Sequence, residues 1–514
     1  MIINSIEKGL EGIIERKILA LVLVAILGIG LRVYFMPWEH HTNSPDAFIF
    51  MNEAINYSKG NFEQFNVRFI WPMFLSIFFQ FLDNNSNLMT YTTIMRIVSI
   101  SVSIITIPII YVIAKKFISH KWAIICAAIF TLEANLIENS IFGITETIFI
   151  SIGLLSFYFA IQKNEKLIPL SFLFAGVAFD IRLNGIVLLI FLLIVCATKF
   201  SGKKLIKNVI LGIIIFIAIS IPHIIIPLDN NEIPYLRHFF SVSTVIDENT
   251  AFTWKENSNS NNVLLNALQD EFFHIFRISV PYLALFVPFG IIISLREIDW
   301  KRKMLFLTII ISLIVAIPQY TISIEYRNLF FIVPFFAILS GIGIEELGKH
   351  TNFKNLFLVL LIAGLLLLSF NFLRERYDID QELLQERFDV SKYVTNNLYG
   401  NISGDLKIQV WTQMGNENYK IKQNDSGGFS NEKINFYSPE FRVENLEDLK
   451  KHLKQNQINF LIVDNIEDNH FPIFNKIFYK NNEYSFLEKI YDTDMEKYKK
   501  IRVKIFEIDH EKLE

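Results

Sequence analysis

The sequence has 514 residues, of which 52% are hydrophobic and 19% are charged, and its formal net charge is −3. This composition is too apolar for an ordinary soluble protein. The near-neutral charge, with no basic stripe, excludes a nucleic-acid partner. Cys126 and Cys196 both lie inside apolar stretches, so the sequence predicts no disulfide framework. The composition therefore predicts a membrane protein.

Apolar stretches recur from Ile18 to Asn371. Because a helix needs roughly 20 residues to cross the hydrocarbon core, we predict a polytopic α-helical membrane protein with about 11 spans. The shortest stretches are expected to flank a polar pocket, where helix ends face protein rather than lipid. The predicted spans are 18–35, 89–114, 122–137, 143–161, 167–180, 183–198, 206–226, 275–294, 304–320, 328–345 and 355–373.

Basic residues collect at every second connection between these stretches. Short connections rich in Lys and Arg stay in the cytoplasm, so the N-terminus is predicted to be cytoplasmic. The first stretch is longer than a signal-peptide core and lacks a small-residue cleavage site, which predicts a retained span. The basic residues at these connections are Lys8, Arg16, Lys17, Lys115, Lys116, Lys121, Lys163, Lys166, Lys199, Lys203, Lys204, Lys207, Arg296, Lys301, Arg302, Lys303, Lys349 and Lys354.

The chain divides into a membrane domain, 1–373, and an extracytoplasmic domain, 374–514. Two long external loops, 36–88 and 227–274, interrupt the membrane domain. In the first loop, Asp46 to Ser58 is predicted to be a helix, and Phe69 to Leu82 is too short for a span and fits a re-entrant or interfacial helix. The tail is predicted to be α/β, with helices at 382–397 and 445–455 and strands at 406–411, 458–464 and 501–508.

Acidic residues lie at the external ends of the apolar stretches. Asp46 follows the first span, and a carboxylate there can act as a general base towards a hydroxyl. The alternative is a solvated loop acid or a helix N-terminal residue, which Ser44-Pro45-Asp46 also resembles. Glu53 is the next acid. Further supporting acids are Glu138, Glu146 and Glu325, although Glu146 also fits a plain role in a first helical turn.

Three arginines at or inside the external helix ends are candidates for binding phosphate. They are Arg96 in the second span, Arg182 in FDIRLNG and Arg327 in SIEYRNLFFIVP. Ionisable groups at membrane depth are costly and mark functional sites by default, and the planar guanidinium binds phosphate through two parallel contacts. The alternative for each is an interfacial anchor or a structural ion pair. Nothing in the sequence requires a metal or a cofactor.

Taken in order, these motifs resemble the multispan glycosyltransferases of the GT-C fold. The likeness is to the dolichyl-phosphate-mannose–protein mannosyltransferases and the aminoarabinose transferases, and it covers most of 18–350. It rests on a first span ending in Arg32, the external acid Asp46, the FIWPMFL segment, the second span bearing Arg96, TETIF, RLNG and EYRNLFFIVP. The tail is similar to external domains of some archaeal members.

The resemblance implies transfer of a sugar from a polyprenyl-phosphate donor to a protein, lipid or glycan acceptor outside the membrane, with inversion. Asp46 would deprotonate the acceptor. Where the family has an acidic pair, this chain has Asp46-Ala47, so Glu53 is the second candidate. No WWDxG-like motif is present, which argues against transfer of a whole glycan to asparagine. Two alternatives are a polytopic transporter, disfavoured because no internal repeat is visible, and a non-catalytic membrane assembly protein.

The topology can be tested by labelling cysteines in intact cells with an impermeant maleimide. We expect Asn424→Cys to be labelled and Lys303→Cys to be labelled only after permeabilisation, because the basic bias places Lys303 in the cytoplasm. Protection at position 424 together with labelling at 303 would reverse the orientation.

Overall fold

The computed structural model describes residues 2–38, 44–61, 70–82, 86–229, 263–279, 283–320, 326–417, 422–423, 429–437, 445–465, 472–493 and 498–513. Contacts between Cα atoms divide the chain into two compact units. The helical unit contains Met1–Met36, Phe50–Asp83 and Thr93–Leu373. The tail unit contains Pro37–Ile49, Asn84–Thr92 and Arg374–Glu514.

Helices account for nearly all of the described chain up to Asn397. Five of them are long and apolar enough to cross a membrane. The number is six if the helices His120–Thr131 and Ala134–Phe142, which are bent by 53° relative to each other, count as one span. Their bounds are α1 Ile2–Ile14, α2 Lys17–Tyr34, α3 Pro45–Ser58, α4 Ile70–Phe79, α5 Leu88–Ala114, α6 His120–Thr131, α7 Ala134–Phe142, α8 Glu146–Ala160, α9 Ile168–Ile181, α10 Ile186–Lys199, α11 Gly202–Asp229, α12 Val263–Ser279, α13 Leu283–Arg296, α14 Trp300–Tyr320, α15 Val333–Lys349 and α16 Lys354–Asn397.

Most of the predicted membrane segments fall on a single helix each, although 122–137 runs across the break between α6 and α7. The polytopic helical class is confirmed, whereas the number of spans stays a prediction. The predicted span at 275–294 falls on two helices, α12 and α13. Residues 280–282 between them lie outside the described part. The last predicted span, 355–373, is the first half of α16, which continues into the predicted helix at 382–397.

The break between α6 and α7 is stabilised by two charged side chains. Arg32 is completely buried, and its guanidinium donates to Gly28 O and Thr131 O, each at 3.0 Å, to Ser140 Oγ at 3.0 Å and to Ser103 Oγ at 2.8 Å. Glu133 caps α7, because its Oε2 accepts from Leu136 N at 2.7 Å. These bonds satisfy backbone groups that the break would otherwise leave without partners in an apolar interior.

The tail unit contains a seven-stranded sheet with the order β2-β3-β4-β1-β5-β7-β6. Strands β4, β1 and β5 are parallel, and the outer strands pair antiparallel. The predicted strands at 458–464 and 501–508 and both predicted tail helices are confirmed. The elements after α16 are β1 Gly400–Gly404, α17 Lys407–Glu417, β2 Lys422–Gln423, β3 Phe429–Ser430, β4 Ile434–Tyr437, α18 Leu446–Gln455, β5 Phe460–Asp464, α19 Pro472–Lys480, β6 Leu487–Asp492 and β7 Val503–Ile508.

The predicted strand at 406–411 is wrong, because this segment begins helix α17. Parallel strands such as β1 and β4 need a crossover connection, and α17 lies in that connection. The buried residues Leu406, Val410, Trp411 and Met414 repeat with the period of a helix face. In the sequence, Leu406, Ile408 and Val410 alternate with two polar residues, which is the pattern of a half-buried strand.

Candidate active site

The centre of the candidate site is the start of α8. Gly143 ends α7 with a left-handed φ of 76°, and Glu146 then opens α8 as the acid in its first turn. Trp71 of α4 donates its indole N–H to Gly143 O at 3.0 Å, which fixes the turn between the two helices. An acid is stabilised at a helix N-terminus by the unsatisfied N–H groups there. The local sequence therefore presents one buried carboxylate, Glu146, at a defined point.

Two arginines from distant parts of the sequence converge on this carboxylate. Arg182 Nη1 donates to Glu146 Oε1, and Arg327 Nη1 lies 3.7 Å from the same oxygen. The Glu146 side chain is 2% exposed, that of Arg182 is 9% exposed and that of Arg327 is 26% exposed. Two guanidinium groups thus face one carboxylate, which leaves an excess of positive charge among these three side chains.

Asparagine side chains tie the two arginine segments together. Arg182 Nη2 donates to Asn328 Oδ1 at 3.2 Å, and Asn184 Nδ2 donates to Asn328 O at 3.4 Å. Gly185 allows this turn to pack closely, because a Cβ there would lie 2.4 Å from Phe179 N. The RLNG and YRNLF motifs of the sequence therefore meet in space, a contact that no pattern within either motif could have shown.

Arg96 is also buried within the helical unit. One turn further along α5, Ser99 Oγ donates to Thr147 Oγ1 at 3.4 Å, and Thr147 follows Glu146. Residues three apart share a helix face, so Arg96 lies on the side of α5 that meets the start of α8. A small pocket adjoins this contact, and it is lined by Ser103, Thr106, Phe130, Leu136, Asn139, Glu146, Thr147 and Ile150.

Asp46 and Glu53 lie on helix α3. Ser44 Oγ accepts weakly from Ala47 N at 3.5 Å, Pro45 is the first helical residue and half-buried Asp46 is the second. This is the helix N-terminal position that Ser44-Pro45-Asp46 resembles, and a carboxylate there stabilises the helix start. Glu53 is buried. By contacts, Asp46 belongs to the tail unit and Glu53 to the helical unit.

The remaining predicted acids differ in their surroundings. Glu138 is half-buried on α7, whereas Glu325 lies outside the described residues. Sequence reasoning missed the ties that Asn184 and Asn328 provide, although both belong to motifs that it had singled out. Across the described ranges, no group of three or more His, Cys, Asp or Glu side chains is placed to hold a metal ion.

The profile of the dolichyl-phosphate-mannose-protein mannosyltransferase family matches residues 71–226, which include Arg96, Glu146 and Arg182. ArnT from Cupriavidus metallidurans bound to undecaprenyl phosphate aligns with a TM-score of 0.55 and 11% identity, over 94% of this chain and 97% of that chain. The chain has the GT-C fold.

A second GT-C structure agrees. The apo oligosaccharyltransferase of Archaeoglobus fulgidus aligns with a TM-score of 0.56 and 10% identity, over 87% of this chain and 69% of that chain. At 10–11% identity these similarities establish the fold and nothing finer. A search of curated proteins finds no match. The predicted resemblance to multispan GT-C glycosyltransferases is confirmed, and the chain is an integral membrane protein of this fold.

The buried acid can be tested by Glu146→Gln. The neutral amide would remove the negative charge that pairs with both Arg182 and Arg327, and breaking a buried ion pair typically costs about 3–5 kcal/mol. We expect the free energy of unfolding in detergent to fall by about 3 kcal/mol. The matched control is Glu165→Gln, because Glu165 pairs with Lys204 on the surface with both side chains about half exposed, and we expect a change below about 1 kcal/mol. Equal losses would show that the pairing of Glu146 is not structurally important.

Proposed function

We propose that this protein is a membrane glycosyltransferase that moves a sugar from a polyprenyl-phosphate donor to an acceptor hydroxyl on the extracytoplasmic side, with inversion. The observation that carries the proposal is the convergence of Arg182 and Arg327 on the single buried carboxylate of Glu146. Two guanidinium groups placed side by side suit the phosphate group of a lipid-linked sugar, because each can make two parallel contacts to phosphate. The family profile and the GT-C fold support the same class of reaction.

In this proposal the arginines stabilise the departing lipid phosphate. Arg327 is the more exposed of the pair and can contact the donor, while Arg182 is held by Glu146 and Asn328. Arg96 adds a third guanidinium close to the start of α8. Charges that are fixed in place before the reaction stabilise developing negative charge without reorganisation. Solved GT-C structures hold undecaprenyl phosphate in one case and dolichol-phosphate in another, which supports a lipid phosphate as the leaving group.

Asp46 is the proposed general base. Its carboxylate takes the proton from the acceptor hydroxyl as the oxygen attacks the anomeric carbon of the sugar. The bond between that carbon and the phosphate oxygen breaks, and the electron pair leaves with the lipid phosphate. Attack from the face opposite the phosphate inverts the anomeric configuration. Glu53, seven residues further along α3 and about 10 Å along its axis, is the second acid in this proposal.

Replacing Asp46 with Asn tests the base. The amide keeps the size and much of the hydrogen bonding but cannot accept a proton, and a positioned general base typically contributes about 10²–10⁴-fold in rate. We expect turnover to fall by about that factor, with donor binding and melting temperature near wild type. Turnover is measured as release of lipid phosphate by purified protein from a panel of radiolabelled polyprenyl-phosphate sugars.

Glu53→Gln is the control for this experiment and should have the smaller effect. Normal transfer by Asp46→Asn together with an inactive Glu53→Gln would assign the base to Glu53. Normal transfer by both variants would eliminate a carboxylate of the first external loop as the base.

Arg327→Lys tests the phosphate site. Lysine keeps the charge but cannot make two parallel contacts to a phosphate, so we expect weaker donor binding and slower turnover. Arg302→Lys is the matched control, because Arg302 pairs with exposed Glu297 at a connection predicted to be cytoplasmic. If Arg327→Lys binds and uses the donor as wild type does, Arg327 is a structural pair of Glu146 only.

A further inference from the structure

We propose that Trp411, in the tail, is a positioning residue for Asp46, and that the tail thereby forms part of the catalytic machinery. This inference rests on the proposed role of Asp46 as the general base. Its first support is the division of the chain into two compact units. The segment Pro37–Ile49, which contains Asp46, clusters with the tail unit and not with the helical unit.

The contact that joins this segment to the tail is aromatic. Phe48, two residues after Asp46, packs on Trp411 of α17 with their ring centroids 5.9 Å apart and an interplanar angle of 37°. Trp411 in turn packs edge-on against Phe436 of β4, with the centroids 6.2 Å apart at 86°. Phe48 is 1% exposed, Trp411 is 2% exposed and Phe436 is completely buried. The first turn of α3 is therefore connected through two ring contacts to a parallel strand of the sheet.

This chain of rings constrains where the carboxylate of Asp46 points. Phe48 N donates to Ser44 O at 3.1 Å, which closes the first turn of α3 around Asp46. A turn closed in this way moves as one piece, so the packing of Phe48 also sets the rotation and depth of Asp46. A general base must lie about 2.6–3.2 Å from the group whose proton it takes. A displacement of about 1 Å from a remote substitution can reduce the rate by about 10²-fold.

The packing of Trp411 strengthens this assignment. The core cluster formed by α18, α19 and the neighbouring strands contains Leu449, Leu461, Phe474 and Phe506 but does not include Trp411. Trp411 instead faces Phe48 and Phe436. The large side chain of Trp411 therefore contacts both the segment Pro37–Ile49, through Phe48, and the tail sheet, through Phe436. In this position it orients the segment.

The test compares Trp411→Leu, Trp411→Phe and Phe474→Leu in the purified full-length protein. We expect Trp411→Leu to lower kcat by about 10-fold to 10²-fold. The donor KM should be unchanged, because this substitution keeps the proposed phosphate-binding residues Arg182 and Arg327. Trp411→Phe keeps a ring against Phe48 and should restore most of the turnover. Phe474→Leu also replaces a buried aromatic ring with leucine, but in the separate core cluster, and should leave kcat near wild type.

A double-mutant cycle separates positioning from simple damage. If Trp411 acts through Asp46, Trp411→Leu should cause almost no further loss in the Asp46→Asn background, whereas independent effects would multiply. Phe48→Leu, which alters the same contact from the other side, should reproduce the kcat loss if Trp411→Leu does not fold.

The outcomes also separate this inference from the proposed function. If Asp46→Asn is inactive while Trp411→Leu and Phe48→Leu turn over normally, the positioning role is wrong and the general base stands. A loss in Trp411→Leu that multiplies with that of Asp46→Asn would likewise overturn the positioning role. If Asp46→Asn transfers sugar normally, the proposed base fails first.

Discussion

The helical unit depends on one buried guanidinium. Arg32 joins four helices, because it bonds to its own helix at Gly28, to α5 at Ser103, to the end of α6 at Thr131 and to α7 at Ser140. A charged group is tolerated in an apolar interior only when hydrogen-bond partners of this kind surround it. This requirement fixes the bend between α6 and α7, and the bend leads into the turn from which Glu146 opens α8.

The same constraint acts at the candidate site with a different outcome. At Arg32 the hydrogen-bond partners are neutral oxygens, and the four bonds engage four of the five N–H groups of the guanidinium. At Glu146 the partners are charged, and two arginines share one acid. The first arrangement is suited to holding helices together. The second places two guanidinium groups together, at the C-terminal end of α9 and in the turn before α15, and two such groups are suited to binding a phosphate.

Sequence reasoning predicted the helices well because a long apolar stretch at membrane depth has few alternatives to a helix. It failed where tertiary context decides the structure. The segment 406–411 alternates like a strand but forms the crossover helix of a parallel pair. The need of Arg182 and Arg327 for an acidic partner was foreseeable from the cost of burying charge, yet only the fold shows that both of them pair with Glu146. Asp46 belongs to the tail unit, in which Phe48 packs on Trp411, and local sequence does not encode a contact between residues so far apart in the chain.

The N-terminal helix α1 has a consequence for the order in which the protein folds. The two carboxylate oxygens of Glu7 accept from Asn355 N at 2.8 Å and Leu356 N at 2.9 Å, so α1 caps α16 across 348 residues of sequence. Glu7 is synthesised well before its partners, which follow only after most of the helical unit. Contacts of such wide separation form late, because the intervening chain must be ordered first. Closure of the first helix onto α16 is thus a late step of assembly, and until it occurs the start of α16 lacks this cap.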